Sequence, residues 1–403
     1  MSVGGSPTEF FEDAISLGAF RAVQNGISVV LSAGNEGPTP YSVSNFAPWM
    51  LTVGPSTIDR EFTGYVELGY KKNLKGASLA VTAFPSLKSY PLIKAADANA
   101  INVSCADTVE KGQVAALAGA VGMILANDEQ SGDEIIADPH VLPATHISFI
   151  DAQYVYAYIN STIRAPGVSI IAAYSEDNSM LPYVLDSGTS MSCPHVAGIV
   201  GLLKRIHPDW SPGAMRSSIM TTARTRDVSK KPILDSSNAN ASTPFAYGAG
   251  HVHPDGAMDP GLVYDLNTTD YLNFLCSRGY NQTTINRFNE NHPCPQSYNL
   301  TDFNYPSITV PDLDENTVVT RTVTNVGPPG TYRVRVKAPA GVLVLVEPSL
   351  LTFGQVGEKK TYKVFLKPKF HDRPMDYTFG HLTWSDGIHI VRSPIVAKHK
   401  IGS

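Results

Sequence analysis

The sequence predicts an α/β core that is followed by a C-terminal β-sandwich. A helical pattern of apolar residues leads into Ile27–Ser32, a short β-branched run of the kind that forms buried parallel strands. A flexible turn at Gly188 places a serine just before an apolar helix. From about Phe303 the pattern changes to short alternating strands between Gly and Pro turns, which indicates a sandwich.

Length and charge exclude several kinds of partner. A chain of 403 residues has room for two or three domains, each with its own core. The net charge of -5 and the lack of a basic block make nucleic acid and anionic membranes poor partners. No run of 18 apolar residues predicts a membrane span, and Met1–Gly5 does not have the pattern of a signal peptide.

The cysteines and sequons say little by themselves. The cysteines match neither a disulfide framework nor a zinc site: Cys105, Cys193, Cys276 and Cys294. N-x-S/T sequons are slight evidence for a secreted glycoprotein, since chance alone would produce several: Asn102, Asn160, Asn240, Asn267, Asn281 and Asn299.

The first predicted helix begins at a capping motif. Ser6 is the predicted N-cap, Pro7 the first helical residue and Glu9 the capping-box partner, while Gly26 ends the helix. The strand Ile27–Ser32 then leads into a loop at its C-terminal edge, where open α/β sheets build their sites.

Two polar residues are candidates for a catalytic site. The Asn35 amide, in the loop after that strand, could donate to an oxyanion, although an asparagine in such a tripeptide is more often an ordinary turn residue. Ser190 precedes the helical run Val196–Lys204, so its hydroxyl lies near a helix N-terminus that favours negative charge. The alternative for a bare Ser-x-Ser is an N-cap before a buried helix.

Longer motifs separate these alternatives. The stretch Gly188–Gly198 (GTSMSCPHVAG) resembles the active-site serine motif of subtilisin-like proteases, and Ser32–Pro38 with Ser44–Trp49 resembles the oxyanion-asparagine region of plant subtilases. The resemblance implies a serine endopeptidase acting on proteins or peptides, with Ser190 as the nucleophile and Asn35 in the oxyanion hole. It also implies secretion to the apoplast or cell wall, and neither a cofactor nor a metal.

The resemblance divides the chain into four segments. Residues 1–62 and 164–300 are expected to form a partial parallel sheet around the serine helix. Residues 63–163 resemble the β-rich protease-associated (PA) insert of plant subtilases, which implies possible protein contacts. Residues 301–403 resemble their fibronectin III-like domain, including Thr320–Gly327 (TRTVTNVG).

The chain is shorter than the family pattern. It lacks a Gly-Lys-Ile-Val-type strand after Cys105 and a Phe-Ser-Ser-Arg-Gly-Pro-like strand near Ile163–Arg164. Such losses would leave sheet edges unpaired, so an unstable truncated product is one alternative.

The triad partners are the main gap. Subtilisin orders its triad Asp, His, Ser, yet neither the Asp-x-Gly nor the His-Gly-Thr motif of the family, nor any histidine, precedes Asn35. His195 follows Ser190 by five residues, or about 500° of helix, so it faces another way and is expected to be structural. We therefore expect no useful proteolysis from this chain alone. A non-catalytic secreted glycoprotein or interaction module is the alternative.

The remaining cysteines and histidines have structural expectations. Cys193 is expected to be a buried thiol, and Cys276 and Cys294 are a candidate disulfide pair that would stabilise by about 3 kcal/mol. His140 and His146 could bind a metal with Asp138, but without fixed ligand spacing a structural pair is the favoured interpretation. Core or loop roles are expected for the other histidines near the serine helix: His207, His251 and His253.

Beyond the serine helix, Ser211 is a predicted N-cap with Pro212 as the first helical residue. The predicted strands of the sandwich are 318–325, 331–337, 342–346, 361–366, 381–384 and 389–391.

Overall fold

The computed structural model describes residues 1–5, 8–37, 42–57, 62–67, 73–80, 108–117, 119–127, 140–147, 165–166, 168, 170–173, 183–234, 241–290, 292–314, 316–369, 374 and 376–400. The chain forms two compact units. The first comprises Met1–Gly54, Ser192–Ile233 and Ala241–Ser403, and the second comprises Pro55–Met191 and Leu234–Asn240.

The described helices are α1 (Ala14–Gln24), α2 (Thr108–Leu117), α3 (Thr189–Ile206), α4 (Pro212–Thr222), α5 (Pro244–Tyr247), α6 (Pro254–Met258), α7 (Thr268–Ser277) and α8 (Gln282–Phe288), with a 3-10 turn at Leu300–Asp302. The described strands before the sandwich are β1 (Val30–Ser32), β2 (Leu51–Val53), β3 (Pro55–Ser56), β4 (Thr63–Glu67), β5 (Asn73–Ala77), β6 (Met123–Ala126), β7 (Ala144–Ile147), β8 (Ala165–Pro166), β9 (Ile170–Ala173), β10 (Tyr183–Asp186) and β11 (Leu262–Val263).

The strands of the sandwich follow: β12 (Ile308–Leu313), β13 (Thr317–Asn325), β14 (Gly330–Lys337), β15 (Val342–Glu347), β16 (Leu350–Phe353), β17 (Lys359–Pro368), β18 (Thr378–Ser385) and β19 (Ile390–His399).

The first helix starts later than predicted. Helix α1 begins at Ala14 because the Asp13 carboxylate accepts the Ile15 N–H at 2.9 Å and caps the first turn. The predicted start at Ser6 is therefore wrong, and both Ser6 and Pro7 lie outside the described residues. The predicted end is confirmed, because Gly26 follows the helix with a φ of 76°.

The strand after α1 is buried and parallel, as predicted, but it begins at Val30 and not at Ile27, which is exposed. All of β1 is buried, and it pairs in parallel with β2, with Leu31 opposite Thr52. The Met1 amino group donates to the Val30 carbonyl at 2.6 Å, and the Ser32 N–H donates to the Met1 carbonyl at 3.2 Å. The N-terminal residues therefore run beside β1 in the manner of a further parallel strand.

The second unit contains a small mixed sheet. Its strand order is β4-β5-β7-β6, and β6 and β7 are parallel. Helix α2 precedes β6, so the predicted order of helix then strand over residues 115–125 is confirmed, although the helix ends at Leu117. Short pairs β3–β8 (parallel) and β9–β10 (antiparallel) are also described in this unit.

The helix that carries the predicted serine is longer than expected. Helix α3 begins at Thr189, so the expected start at Val196 is wrong and Ser190 is already helical. Pro194 lies inside α3, where its ring nitrogen has no hydrogen to donate to the Ser190 carbonyl. Helix α4 begins at Pro212, and its N-cap Ser211 accepts the Ala214 N–H at 2.9 Å, which confirms that prediction.

The sandwich in the first unit has two sheets, ordered β11-β13-β17-β15 and β12-β19-β18-β14-β16. Trp384, Tyr332 and Tyr362 are completely buried between them. Strand β11 precedes the sandwich in sequence but pairs with β13, and the Tyr264 hydroxyl lies 2.6 Å from that of Tyr362. Five of the predicted strands are confirmed, and the sixth, 389–391, covers only the start of β19. Strands β12 and β16 were not predicted.

Candidate active site

Ser190 occupies the first turn of an 18-residue helix. Ser190 is the second residue of α3 and is partly buried, and the preceding residue, Thr189, is buried. Gly188, just before the helix, has a φ of 147°, which favours glycine. The N–H groups of a first helical turn point out of the helix, so a hydroxyl placed there lies where developing negative charge is stabilised.

Asn35 lies in the exposed loop that follows β1. Gly34 shapes this loop with a φ of 90°, and a Cβ atom at Gly34 would lie 2.5 Å from Glu36 Oε2. The Ala33 N–H donates to the Val53 carbonyl and the Ser44 N–H to the Ala33 carbonyl, both at 2.9 Å. The base of the loop is therefore fixed from both sides, while Asn35 itself is exposed.

Asn45 supports the base of this loop and was given no role in the sequence analysis. It is buried with a φ of 55°, and its Nδ2 donates to the Ser32 carbonyl at 2.8 Å and to the Val3 carbonyl at 2.7 Å. The Thr52 hydroxyl donates to the Asn45 carbonyl. An asparagine tolerates the left-handed conformation better than most residues, which was the available sequence signal.

The two predicted site residues belong to different compact units: Asn35 to the first and Ser190 to the second. Cys193 is buried and not disulfide-bonded, which confirms the prediction, and its Sγ lies 3.3 Å from the Met1 carbonyl oxygen. His195 is exposed on α3, five residues after Ser190. The helical rotation between them therefore separates their side chains as expected.

The His140 and His146 rings form a buried pair. Their Nε2 atoms are 2.8 Å apart and the rings stack with centroids 5.1 Å apart. One nitrogen must donate and the other accept, so at least one ring is neutral in this geometry. Asp138 lies outside the described residues, and within the described part of the chain no group of three His, Cys, Asp or Glu is arranged for a metal.

The histidines after the serine helix contact neighbouring groups. The His207 ring stacks on Trp210 with centroids 3.8 Å apart. The His253 Nε2 lies 2.6 Å from an Arg224 nitrogen, and burial together with the Arg224 charge lowers the pKa of His253. His251 forms an isolated β-bridge with Arg224, and the same two causes lower its pKa. These contacts agree with the loop and core roles that were expected.

A cluster of one histidine and two carboxylates joins the sandwich to the segment that precedes it in the chain. The sequence did not predict this cluster. His389 is buried, with Nδ1 2.7 Å from Asp386 Oδ2 and Nε2 3.2 Å from Asp259 Oδ2. Burial alone would lower the pKa of His389, but the two carboxylates outweigh it and raise the pKa. The Tyr332 hydroxyl also lies 3.3 Å from Nδ1.

The candidate disulfide is confirmed. Cys276 and Cys294 are bonded, with their Cα atoms 5.7 Å apart and a sequence separation of 18. It links the end of α7 to the segment that follows α8. None of the helices in the described ranges is both long and apolar enough to cross a membrane.

Comparison with known proteins assigns both parts of the chain. The Subtilase family profile matches residues 1–250, and the Fibronectin type-III domain profile matches residues 302–397. Subtilisin-like protease SBT5.4 of Arabidopsis thaliana is 45% identical over 98% of this chain and 61% of its own length. Subtilisin-like proteases SBT5.3 and SBT1.7 of the same plant are 44% and 38% identical over 99% and 98% of this chain.

The chain spans 62% of the length of each of the latter two relatives. The identities extend over nearly the whole chain, and the match of residues 1–250 includes Asn35 and the serine motif at Gly188–Gly198. The protein belongs to the subtilase family and carries a fibronectin type-III domain at its C-terminal end.

Proposed function

We propose that this chain supplies the nucleophile and the oxyanion donor of a subtilisin-type serine endopeptidase. The position of Ser190 in the first turn of α3, within a segment matched to the Subtilase family, carries the proposal. The exposed amide of Asn35 on its anchored loop supports the second role.

The chemistry is acyl transfer. The Ser190 oxygen attacks the carbonyl carbon of the substrate while a general base removes the hydroxyl proton. The carbonyl oxygen gains negative charge and accepts a hydrogen bond from the Asn35 amide; in subtilisin, loss of the equivalent asparagine lowers turnover by roughly 10²–10³-fold. The amine leaves with the proton, and water then hydrolyses the ester on Ser190.

We further propose that these 403 residues do not hydrolyse peptides at a useful rate by themselves. No His-Gly-Thr occurs in the sequence, and its two Asp-x-Gly tripeptides, Asp186–Gly188 and Asp259–Gly261, both follow Asn35 instead of preceding it. His195 shares a helix with Ser190 at an unsuitable rotation. Without a base, binding and oxyanion stabilisation retain only about 10³–10⁴-fold acceleration over water.

A fluorophosphonate probe tests both statements on the purified chain. Labelling should be slow, confined to Ser190 and lost in Ser190→Ala, while Ser192→Ala, a change of the buried serine in the same helix, should label like the original. Rapid labelling that is lost in Ser190→Ala would overturn the proposed inactivity. Labelling that persists in Ser190→Ala would overturn the assignment of the nucleophile.

We infer a secreted location, in the apoplast or cell wall. The Cys276–Cys294 disulfide supports an oxidising compartment, and the exposed sequons Asn267, Asn281 and Asn299 are accessible to glycosylation. The sequons Asn102, Asn160 and Asn240 and the fourth cysteine, Cys105, lie outside the described residues. Glycopeptide mapping of protein purified from plant culture medium tests this: unmodified sequons and free Cys276 and Cys294 thiols would oppose it.

We also propose that residues 63–163 are a shortened PA insert that contacts proteins. The small sheet β4-β5-β7-β6 with helix α2 supports a compact β-rich module. A chain that lacks this segment should fold but lose those contacts, which cross-linking with candidate protein substrates measures.

A non-catalytic role as a secreted interaction module is the second candidate. The two-sheet sandwich with its continuous core favours it, since this domain needs no catalytic triad to bind a partner. A cooperative thermal melt of the chain would support this candidate over an unstable product.

A further inference from the structure

One sheet of the sandwich carries a row of cations on its outer face. Along β14 the side chains alternate, so Val334 and Val336 pack on the core while Arg333, Arg335 and Lys337 are exposed. We call these three side chains the basic face. On one strand, successive outward residues are about 6.8 Å apart. Among the ion pairs between described residues, none involves the basic face.

The basic face belongs to a domain whose charge is opposite to that of the whole chain. Residues 302–403 contain 13 Lys and Arg against 9 Asp and Glu, whereas the whole chain has 31 against 36. His381 is the ladder partner of Lys337. Burial, together with the charges of Arg392 and Lys337, lowers the pKa of His381 to about 4, in agreement with a positive potential on this face.

Among the described strands, β14 is paired on one side only beyond Arg333. Strand β16 pairs only with Gly330–Arg333, and the Val334 N–H makes a last bond to the Ser349 carbonyl at 3.1 Å. Past that point the described strands give β14 a single ladder partner, β18. An extended polypeptide can continue the line of β16 along this edge and form backbone hydrogen bonds with β14.

Apolar side chains flank the cations. Leu350 is opposite Arg333 on β16 and is 41% exposed, and Ile390 is 61% exposed in the same cross-strand row, beyond Ser385. Arginine is enriched at protein–protein interfaces, and the two aliphatic side chains add apolar contact area beside Arg333.

We propose that the basic face docks an acidic, extended segment of a partner polypeptide. The segment adds a strand next to β14 beyond Arg333, and its alternate carboxylates lie beside Arg335 and Lys337. Neighbouring strands bring facing side chains within about 5 Å, and a guanidinium can hold a carboxylate by two parallel hydrogen bonds. An acidic polysaccharide would match the charge but could not use the open backbone edge or the apolar flanks.

The test measures binding of a fluorescein-labelled peptide of alternating Glu and Val to the full chain carrying Ser190→Ala, at about 50 mM salt. The variant Arg333→Gln/Arg335→Gln/Lys337→Gln should weaken binding by about tenfold or more, since it removes the positive charge of the basic face, including the two side chains that lie beside the peptide carboxylates. The matched control Lys359→Gln/Lys363→Gln/Lys367→Gln removes the same charge from exposed positions of β17 in the other sheet. It should change the Kd by less than about twofold.

Two further probes separate the possible occupants. A peptide with the same side chains but N-methylated backbone amides should bind about tenfold more weakly, because it cannot pair with β14. Arg333→Lys/Arg335→Lys, which keeps the charge, should retain part of the affinity and shows that the surface is still folded. Equal weakening in both glutamine variants, or tighter binding of polygalacturonate than of the peptide, would overturn the proposal. Because Ser190 is absent throughout, this outcome is independent of the proposed catalytic role.

Discussion

The His389 imidazole lies between two carboxylates, with Nδ1 2.7 Å from Asp386 Oδ2 in the turn after β18 and Nε2 3.2 Å from Asp259 Oδ2 in the segment before β11. Asp259 comes from the part of the chain that precedes the sandwich, so this histidine joins two regions that are distant in sequence. Gly261, two residues after Asp259, has a φ of 75°. A Cβ atom at this position would clash with the Tyr332 hydroxyl and the His389 ring.

This arrangement predicts a pH-dependent stability. The pKa of His389 is raised in the folded chain, so its contribution is complete below about pH 6.5, where the unfolded histidine is also protonated. The contribution is lost as the pH rises through the raised folded pKa. Burial would raise the pKa of Asp386, but hydrogen bonds from His389 lower it, so this carboxylate stays charged over that range.

His389→Gln should therefore lower the melting temperature more at about pH 5.5 than at about pH 8.5. His292→Gln is the control, and we expect it to lower the melting temperature more at about pH 8.5 than at about pH 5.5. Burial lowers the pKa of His292, so the fold favours the neutral form of this side chain. A His389→Gln effect that is the same at both pH values would contradict the ion-pair interpretation.

The disulfide gives a second prediction. Removing the Cys276–Cys294 disulfide frees the unfolded chain to adopt more conformations. In the chain-entropy model this should destabilise the region of α7 and α8 by about 3 kcal/mol. Cys276→Ser/Cys294→Ser should raise amide exchange in α7 and α8 and leave β17 and β18 of the sandwich unchanged. Uniformly faster exchange in the sandwich would show instead that the disulfide supports the whole first unit.

Local signals in the sequence predicted some boundaries and missed others. Ser211 and Pro212 were sufficient for the start of α4 because capping is decided within one turn. Strand β12 was missed because Pro311 and Asp312 break its alternation; the ladder there shifts register between Val310 and Leu313.

The sequence likewise predicted some of the residues discussed above and missed others. Motifs predict Ser190 and Asn35 as site residues, since contiguous residues carry those motifs. The support of Asn45 for the Asn35 loop depends on a contact with Val3, 42 residues earlier, and the His389 cluster depends on Asp259. A single sequence contains no local signal for pairings of that distance.

Asn45 leads to a prediction that separates backbone conformation from hydrogen bonding. Asn45→Gly keeps the φ of 55° without strain but loses two buried hydrogen bonds, at a cost of about 1–3 kcal/mol. Asn45→Ala adds about 1–2 kcal/mol for the left-handed conformation. Asn45→Asp should be the least stable, because its carboxylate would face the carbonyl oxygens of Ser32 and Val3. Thermal melts of the three variants should follow the order Gly, Ala, Asp from most to least stable, and Ala above Gly would show that strain is unimportant here.

Arg216 leads to the last prediction. This arginine of α4 is almost completely buried, and its guanidinium donates to the Pro48 carbonyl and lies over the Tyr305 and Tyr271 rings, 4.9 Å and 5.6 Å from their centroids. Burial would lower the pKa of Arg216, but the two tyrosines outweigh it and raise the pKa, so the group stays charged.

Arg216→Met should destabilise the chain by about 2–4 kcal/mol, because it leaves the Pro48 carbonyl without this donor and removes the cation–π contacts. Arg216→Lys should recover less than half of that loss, since a compact ammonium cannot contact both rings and the Pro48 carbonyl as a planar guanidinium can. Hydrogen exchange of α4 and α7, which carry Arg216 and Tyr271, measures the effect locally. If Lys restored wild-type protection, the charge alone would be sufficient and the planar stacking would not matter.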